Sequence, residues 1–211
     1  MLGTTGLISQ LLSATPDGPI FLALALVWGV LAAYWAGAFF YGIATGRQKP
    51  DRRSGGSLAH ELVPRLLLAL VVVGLVAPGS RGVLLARLLP GPNAISFMGV
   101  AIAAAGSAFA IWARHVLGGN WGVRIGTKQG HTLVRTGPYA IVRHPIYTGV
   151  GVGMAGSAIA LANAFGVLVL LGVLLFLFFR MGDEEAMLEG KFGEEYREYE
   201  KQVRRFIPFW Y

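Results

Sequence analysis

The chain contains no cysteine. Disulfides, thiolate metal ligation and a cysteine nucleophile are therefore excluded, and the redox character of the compartment stays open. Charge is scarce as well: Asp, Glu, Lys and Arg make up only 14% of the 211 residues, against 55% hydrophobic ones. With a mean hydropathy of +0.58, this excludes an ordinary soluble domain and is the composition of an integral membrane protein. The first 19 residues hold no Lys or Arg, and no small-residue cleavage pattern follows the first apolar run, so a cleaved secretory signal is not expected. Zinc motifs, phosphate-binding glycine loops, dinucleotide fingerprints and a serine triad are all missing from the sequence. The net charge of +7 does not point to nucleic acid, because the basic residues lie in loops between apolar runs, where membrane topology and anionic lipid headgroups account for them.

What is present is a series of apolar runs. Residues 20–43 form a first span, with Trp28, Tyr34, Trp35, Phe39, Phe40 and Tyr41 as packing and interfacial groups. A polar, breaker-rich loop over 44–61 follows, closed by His60 and Glu61, which lack the i, i+4 relation of a helical metal pair. A second span over 62–77 starts near a snorkelling Arg65 and ends at Pro78-Gly79. Residues 81–92 read as a short interfacial helix or loop. A third span over 94–116 ends in Trp112-Ala113-Arg114-His115, an interface anchor. The apolar stretch 146–179 would be about 51 Å long as one helix, far more than a hydrocarbon core of about 30 Å. It is therefore expected to be a hairpin turning near Ala162-Asn163-Ala164, the site of its only strongly polar residue. Glycines such as Gly151, Gly153 and Gly156 suit close helix packing.

Beyond Arg180 the character changes. Eight of the eleven acidic residues fall between Asp183 and Glu200, and Leu188, Phe192, Tyr196, Tyr199 and Val203 recur every three or four positions, which predicts an amphipathic helix outside the membrane. The tail from Phe206 to Tyr211 is aromatic and interfacial. Loops 44–65 and 114–145 carry five basic residues each and the region from Arg180 carries six, against Arg81 and Arg87 on the other side. The expected architecture is one all-α membrane domain of about five transmembrane helices in the cytoplasmic membrane, the last two a hairpin, with the N-terminus outside and the 117–145 loop and amphipathic C-terminus cytoplasmic.

The connection 117–145 is long for a small bundle, as functional or mobile connections are, and it leads into a polar cluster at 133–149. Pro145 suits the first turn of a helix and His144 its N-cap. The helix's free N–H groups, flanked by Arg143 and Arg135, would then form an anion site, with Tyr139 and Tyr147 as aromatic faces or hydroxyls and Gly137-Pro138 as a turn. Arg180 and Glu184 share a helix face by their spacing of four. If the hairpin is tight, its outer ends return to one membrane face, and this pair arrives near His144 and Tyr147.

Together, Leu117-Gly118, Trp121, Leu133-Val134-Arg135-Thr136-Gly137-Pro138-Tyr139, Arg143-His144-Pro145-Ile146-Tyr147-Thr148-Gly149, Glu184-Glu185, Phe192-Gly193-Glu194-Glu195-Tyr196 and Phe206-Ile207-Pro208 resemble the isoprenylcysteine carboxyl methyltransferase family and its phospholipid methyltransferase relatives. The resemblance covers about 94–209, so that 94–211 is the methyltransferase-like part and 1–93 holds spans of unassigned role. It implies a membrane transferase using S-adenosylmethionine, with no metal required and a lipophilic acceptor taken from the bilayer. By the same resemblance Gly137 and Tyr139 line the cofactor, His144, Pro145 and Tyr147 contact it, Glu184 or Glu185 holds its amino group or ribose, and Arg180 lies nearer the acceptor. A sterol-reductase-like membrane enzyme using NADPH and a non-catalytic membrane scaffold are the alternatives.

Because the chain has no cysteine, a single one introduced at Lys128 is a clean topology probe. Impermeant thiol reagents are expected to modify it from the cytoplasmic side only; labelling from outside alone would overturn the orientation.

Overall fold

The computed structural model describes residues 17–44, 86–89, 91–120 and 132–207. All regular elements among them are helical: α1 (Gly18–Ala44), α2 (Ala94–Leu117), α3 (Pro145–Leu161), α4 (Ala164–Phe192) and α5 (Glu194–Gln202), with 3-10 turns at Gly118–Asn120 and Gly137–Ala140. Three helices are long and apolar enough to cross a membrane, Gly18–Gly42, Ala94–Asn120 and Ala164–Phe192, and Pro145–Leu161 is a shorter apolar helix. The span expected over 62–77, the loop 45–61 and the tail 208–211 lie outside the described residues.

The closest packing joins α2 to α3. A Cβ on Gly106 would stand 2.5 Å from the backbone nitrogen of Gly153 and 2.6 Å from the carbonyl oxygen of Gly149. A Cβ on Gly156 would fall 2.6 Å from the carbonyl oxygen of Gly99 and closer still to the nitrogen of Ala103. With Ala103, Ala110 and Ala160 buried beside them, these positions let two backbones touch, which is how helices associate where apolar burial gives no preference over lipid. Helix α1 packs on this pair through Ile20 and Leu24 and through Trp28, whose Nε1–H donates to Ser157 Oγ at 3.0 Å. Its other faces leave Phe21, Leu26, Val30 and Phe40 exposed, as expected of a surface that meets lipid or a further helix.

The hairpin turns at Ala162, which adopts the left-handed region (φ 45°, ψ 47°), and at Asn163, whose Oδ1 accepts from Gly166 N at 2.8 Å. An asparagine N-cap supplies the acceptor that the first turn of α4 lacks. Near this turn Arg87 joins Asp17 at 2.6 Å and Ser96 Oγ at 2.6 Å, and Leu88 N donates to Ala162 O at 2.6 Å. The starts of α1 and α2 and the hairpin tip thus meet at one end, and residues 86–89 form bends rather than a helix.

At the other end the hairpin is unequal. Its second arm, 29 residues long, runs through Arg180 to Phe192, so the amphipathic helix expected beyond Arg180 is the last turns of α4 followed by the separate α5. The physical reason is local. Gly182 and Gly190 are tolerated in a helix, but Gly193 takes the left-handed region at φ +53° and ends it. At about 1.5 Å per residue α4 is some 43 Å long, so its acidic turns project past the apolar layer.

Replacing Gly106 or Gly156 by Ala forces α2 and α3 apart. Each change is expected to lower stability by about 1–3 kcal/mol, measured as an earlier thermal unfolding transition in detergent. Gly29→Ala, where nothing lies within 4 Å of the new Cβ, is the control expected to leave the transition in place.

Candidate functional site

The polar cluster of the sequence gathers where α3 begins, α4 leaves the apolar layer and α5 folds back. The 3-10 turn Gly137–Ala140 delivers Tyr139, which is 8% exposed. The chain then pairs in parallel with the C-terminal strap: Val142 bridges Arg204, Arg143 N donates to Arg204 O at 2.7 Å and His144 N to Arg205 O at 3.1 Å. Thr148 Oγ1 donates to Phe206 O at 2.7 Å. Helix α3 starts at Pro145, the residue type suited to a position whose N–H has no helical acceptor.

Arg143 is the hub. Its Nε and Nη2 donate to Glu185 Oε1 at 3.1 and 2.9 Å, Nη2 also reaches Glu200 Oε1 at 2.9 Å, and Nη1 donates to the carbonyls of Glu200 and Val203 at 3.1 and 3.0 Å. His144 Nε2 meets the same Glu185 oxygen at 3.0 Å, and Arg205 binds Oε2 at 3.0 Å. The imidazole stacks on Tyr147, with ring centroids 5.6 Å apart at 16°. Tyr147 in turn interacts with the side chains of Glu184 and Arg180. Tyr199 on α5 donates its hydroxyl to Tyr139 O at 2.7 Å. Burial pushes the phenols of Tyr139, Tyr196 and Tyr199 well above their ordinary range, so they stay neutral.

These residues surround a cavity of about 390 Å³, within the range of small-molecule sites. Tyr139, His144, Pro145 and Tyr147 line it from one side, Arg180 and Glu184 from α4, and Tyr196 and Tyr199 from α5, while Trp35 of α1 completes the wall. The two separate sequence clusters thus form one pocket.

Several expectations need correction. His144 is the N-cap of α3 but makes no side-chain cap bond, because its ring is held by Glu185. Arg143 and Arg135 do not flank an open anion site: Arg143 is engaged as above and Arg135 pairs with Glu195 at 2.8 Å. Glu185 has both oxygens occupied by Arg143, His144 and Arg205 and does not line the cavity, which leaves Glu184 as the carboxylate facing it. Gly137 is not a lining residue either. Its φ of +61° makes the turn, and its open side faces Val116 and Trp112 of α2. Arg114, expected as an interface anchor, is buried and donates to Gly118 O at 3.2 Å, closing the end of α2. Tyr196, Tyr199 and Trp35 were not foreseen as cavity residues. Periodicity marked the two tyrosines only as an apolar face, and nothing in the sequence tied Trp35 to residues more than a hundred positions away.

Residues 98–190 match the isoprenylcysteine carboxyl methyltransferase (ICMT) family. The chain is 44% identical over 80 residues to the protein-S-isoprenylcysteine O-methyltransferase of Homo sapiens, covering 37% of this chain and 28% of that protein. It is 40% identical over 83 residues to the one of Schizosaccharomyces pombe, 38% and 35% of the two lengths. To the probable protein-S-isoprenylcysteine O-methyltransferase of Oryza sativa subsp. indica it is 35% identical over 89 residues, 41% and 46%. Less than half the length of each relative is matched. The fold resembles that of the eukaryotic intramembrane Ras methyltransferase ICMT, with a TM-score of 0.61 at 22% identity over 97% of this chain and 73% of that one.

Removing Arg143 leaves Glu185 partly buried beside an unfilled space. Arg143→Ala is expected to cost about 3–5 kcal/mol and Arg143→Lys a smaller part of that, since an ammonium cannot reproduce the planar fork. Thermal unfolding with circular dichroism checks the order parent, Lys, Ala.

Proposed function

We propose, from a catalytic part that is ICMT-like over residues 98–190, that this integral membrane protein transfers a methyl group from S-adenosylmethionine to a lipophilic acceptor that reaches the cavity from the bilayer. The observation that carries the reading is the meeting of Tyr147, Glu184 and Arg180 in one cavity at the end of the α3–α4 hairpin, inside the family-matched segment. The lining fits the cofactor. A carboxylate suits its ammonium group or ribose hydroxyls, and the ring faces of Tyr139, Tyr147 and Trp35 suit a purine and a cationic sulfur.

The cofactor, when bound, supplies a methyl group activated by positively charged sulfur. Glu184 would hold the amino group or ribose, Tyr139 and Tyr147 would pack its rings, and Pro145 would shape the wall. His144, which also lines the cavity, stacks on Tyr147. Arg180 orients the polar end of the acceptor and balances charge where the methyl group moves. Such a transfer needs alignment and exclusion of water more than a covalent intermediate, and the crowded aromatic lining provides both. The relatives are named for an S-isoprenylcysteine acceptor, a polar reacting group on an apolar chain, and an acceptor of that build suits a polar cavity set at the edge of an apolar bundle. On the count of basic residues, this end of the bundle is cytoplasmic and the protein has five spans.

Titration calorimetry of the detergent-purified protein with S-adenosylmethionine, S-adenosylhomocysteine and NADPH tests the reading. Binding of the first two is expected; binding of NADPH alone would favour a reductase, and binding of none would leave a scaffold. Glu184→Gln is expected to weaken cofactor binding by about tenfold, the loss of one charge-assisted hydrogen bond. Arg180→Ala is expected to leave that affinity nearly unchanged and to lower turnover, as for an interaction expressed late on the reaction path.

A further inference from the structure

Arg205 lies past the family-matched segment and does not line the cavity, yet it is tied to the cavity wall at several points. Its carbonyl accepts the N–H of His144 at 3.1 Å. Its guanidinium binds Glu185 Oε2 at 3.0 Å and sits 5.4 Å from the ring centroid of Phe178. Glu185 Oε1 meets His144 Nε2 at 3.0 Å. His144, Arg205 and Glu185 therefore close a ring of two hydrogen bonds and one ion pair, in which one histidine is held at its backbone and at its imidazole. Gly182 lies beside the arginine: a Cβ there would be in van der Waals contact, 3.5 Å, with an Arg205 Nη, and a large side chain at this position would compete with the guanidinium for that space.

The arrangement matters because the terminal torsion of a glutamate is soft. His144 and Arg143 both use Oε1, which alone leaves the carboxylate free to swing about that oxygen. The Arg205 guanidinium, paired with Oε2 at 3.0 Å, restricts that swing by attraction between opposite charges at close range. The fixed carboxylate orients His144, whose ring stacks on Tyr147 and whose Nδ1 lies 3.9 Å from Glu184 Oε2, both of them cavity residues.

We propose that Arg205 is a positioning residue: without touching ligand, it orients His144 through Glu185 and so sets the Tyr147 face of the cavity. The choice of S-adenosylmethionine as the probe rests on the methyltransferase reading; the geometry does not.

The test combines calorimetry with the imidazole nitrogen signals of histidine-labelled protein, the His144 signals being identified by their loss in His144→Gln. Arg205→Ala is expected to weaken S-adenosylmethionine binding about tenfold and to shift the His144 signals while those of His115 stay in place. Arg205→Lys should recover part of both, because one donor still reaches Oε2. Gly182→Leu should reproduce both defects with Arg205 present. If Arg205→Ala only lowers the unfolding temperature, with affinity and His144 signals as in the parent, Arg205 is a structural tie and the proposal fails. If the parent binds neither S-adenosylmethionine nor S-adenosylhomocysteine, the methyltransferase reading fails instead, and the His144 signals alone then decide the role of Arg205.

Discussion

The clasp between Arg143 and Glu185 holds the functional end of this protein together. Burying two charges costs several kcal/mol each unless the remaining donors and acceptors are filled. Here they are filled by the Glu200 carboxylate, two backbone carbonyls, His144 and Arg205. The consequence is topological. One guanidinium joins the entry to α3, the exit of α4 and the strap after α5, adding to the backbone pairing of Val142–His144 with Arg204 and Arg205.

The clasp works only because the helices beneath it are stiff relative to one another. Backbone contact between α2 and α3, through Gly99, Gly106, Gly149 and Gly156, leaves no layer of side chains to slide. The α3 N-terminus, and with it His144 and Tyr147, is thereby set against the end of α2. The far end is held by a second set of polar ties, Asp17, Arg87 and Ser96 with the hairpin tip. Polar groups are thus kept at the two ends of an apolar bundle, where desolvation is smallest, and the cavity opens at the end whose surroundings carry more of them.

Helix exits explain which expectations changed. The apolar span was read as ending just before Arg180 with the helix continuing beyond it, and the helix runs on until Gly193, the first residue after its start to take a positive φ. The same continuity brings Arg180, Glu184 and Glu185 onto successive turns, so that two adjacent glutamates face different surroundings. Glu184 turns to the cavity and Glu185 to the clasp. A helix step of about 100° between neighbours separates their chemistry, and identical residue types could not reveal which would go where.

Sequence alone determined the membrane character, the hairpin with its turn at Asn163, and the crowding of Arg, His, Tyr and Pro at the start of α3. Each follows from local quantities: run length against bilayer thickness, one polar residue in an apolar stretch, and the residue types suited to a helix start. Only the tertiary structure decided which charges are spent on one another and which remain for a ligand. Arg135 and Arg143 proved to be partners of carboxylates 42 to 60 positions away, and Trp35, Tyr196 and Tyr199 became cavity walls. Pairing of charged groups depends on distance in space and on desolvation, and neither is written into residue order.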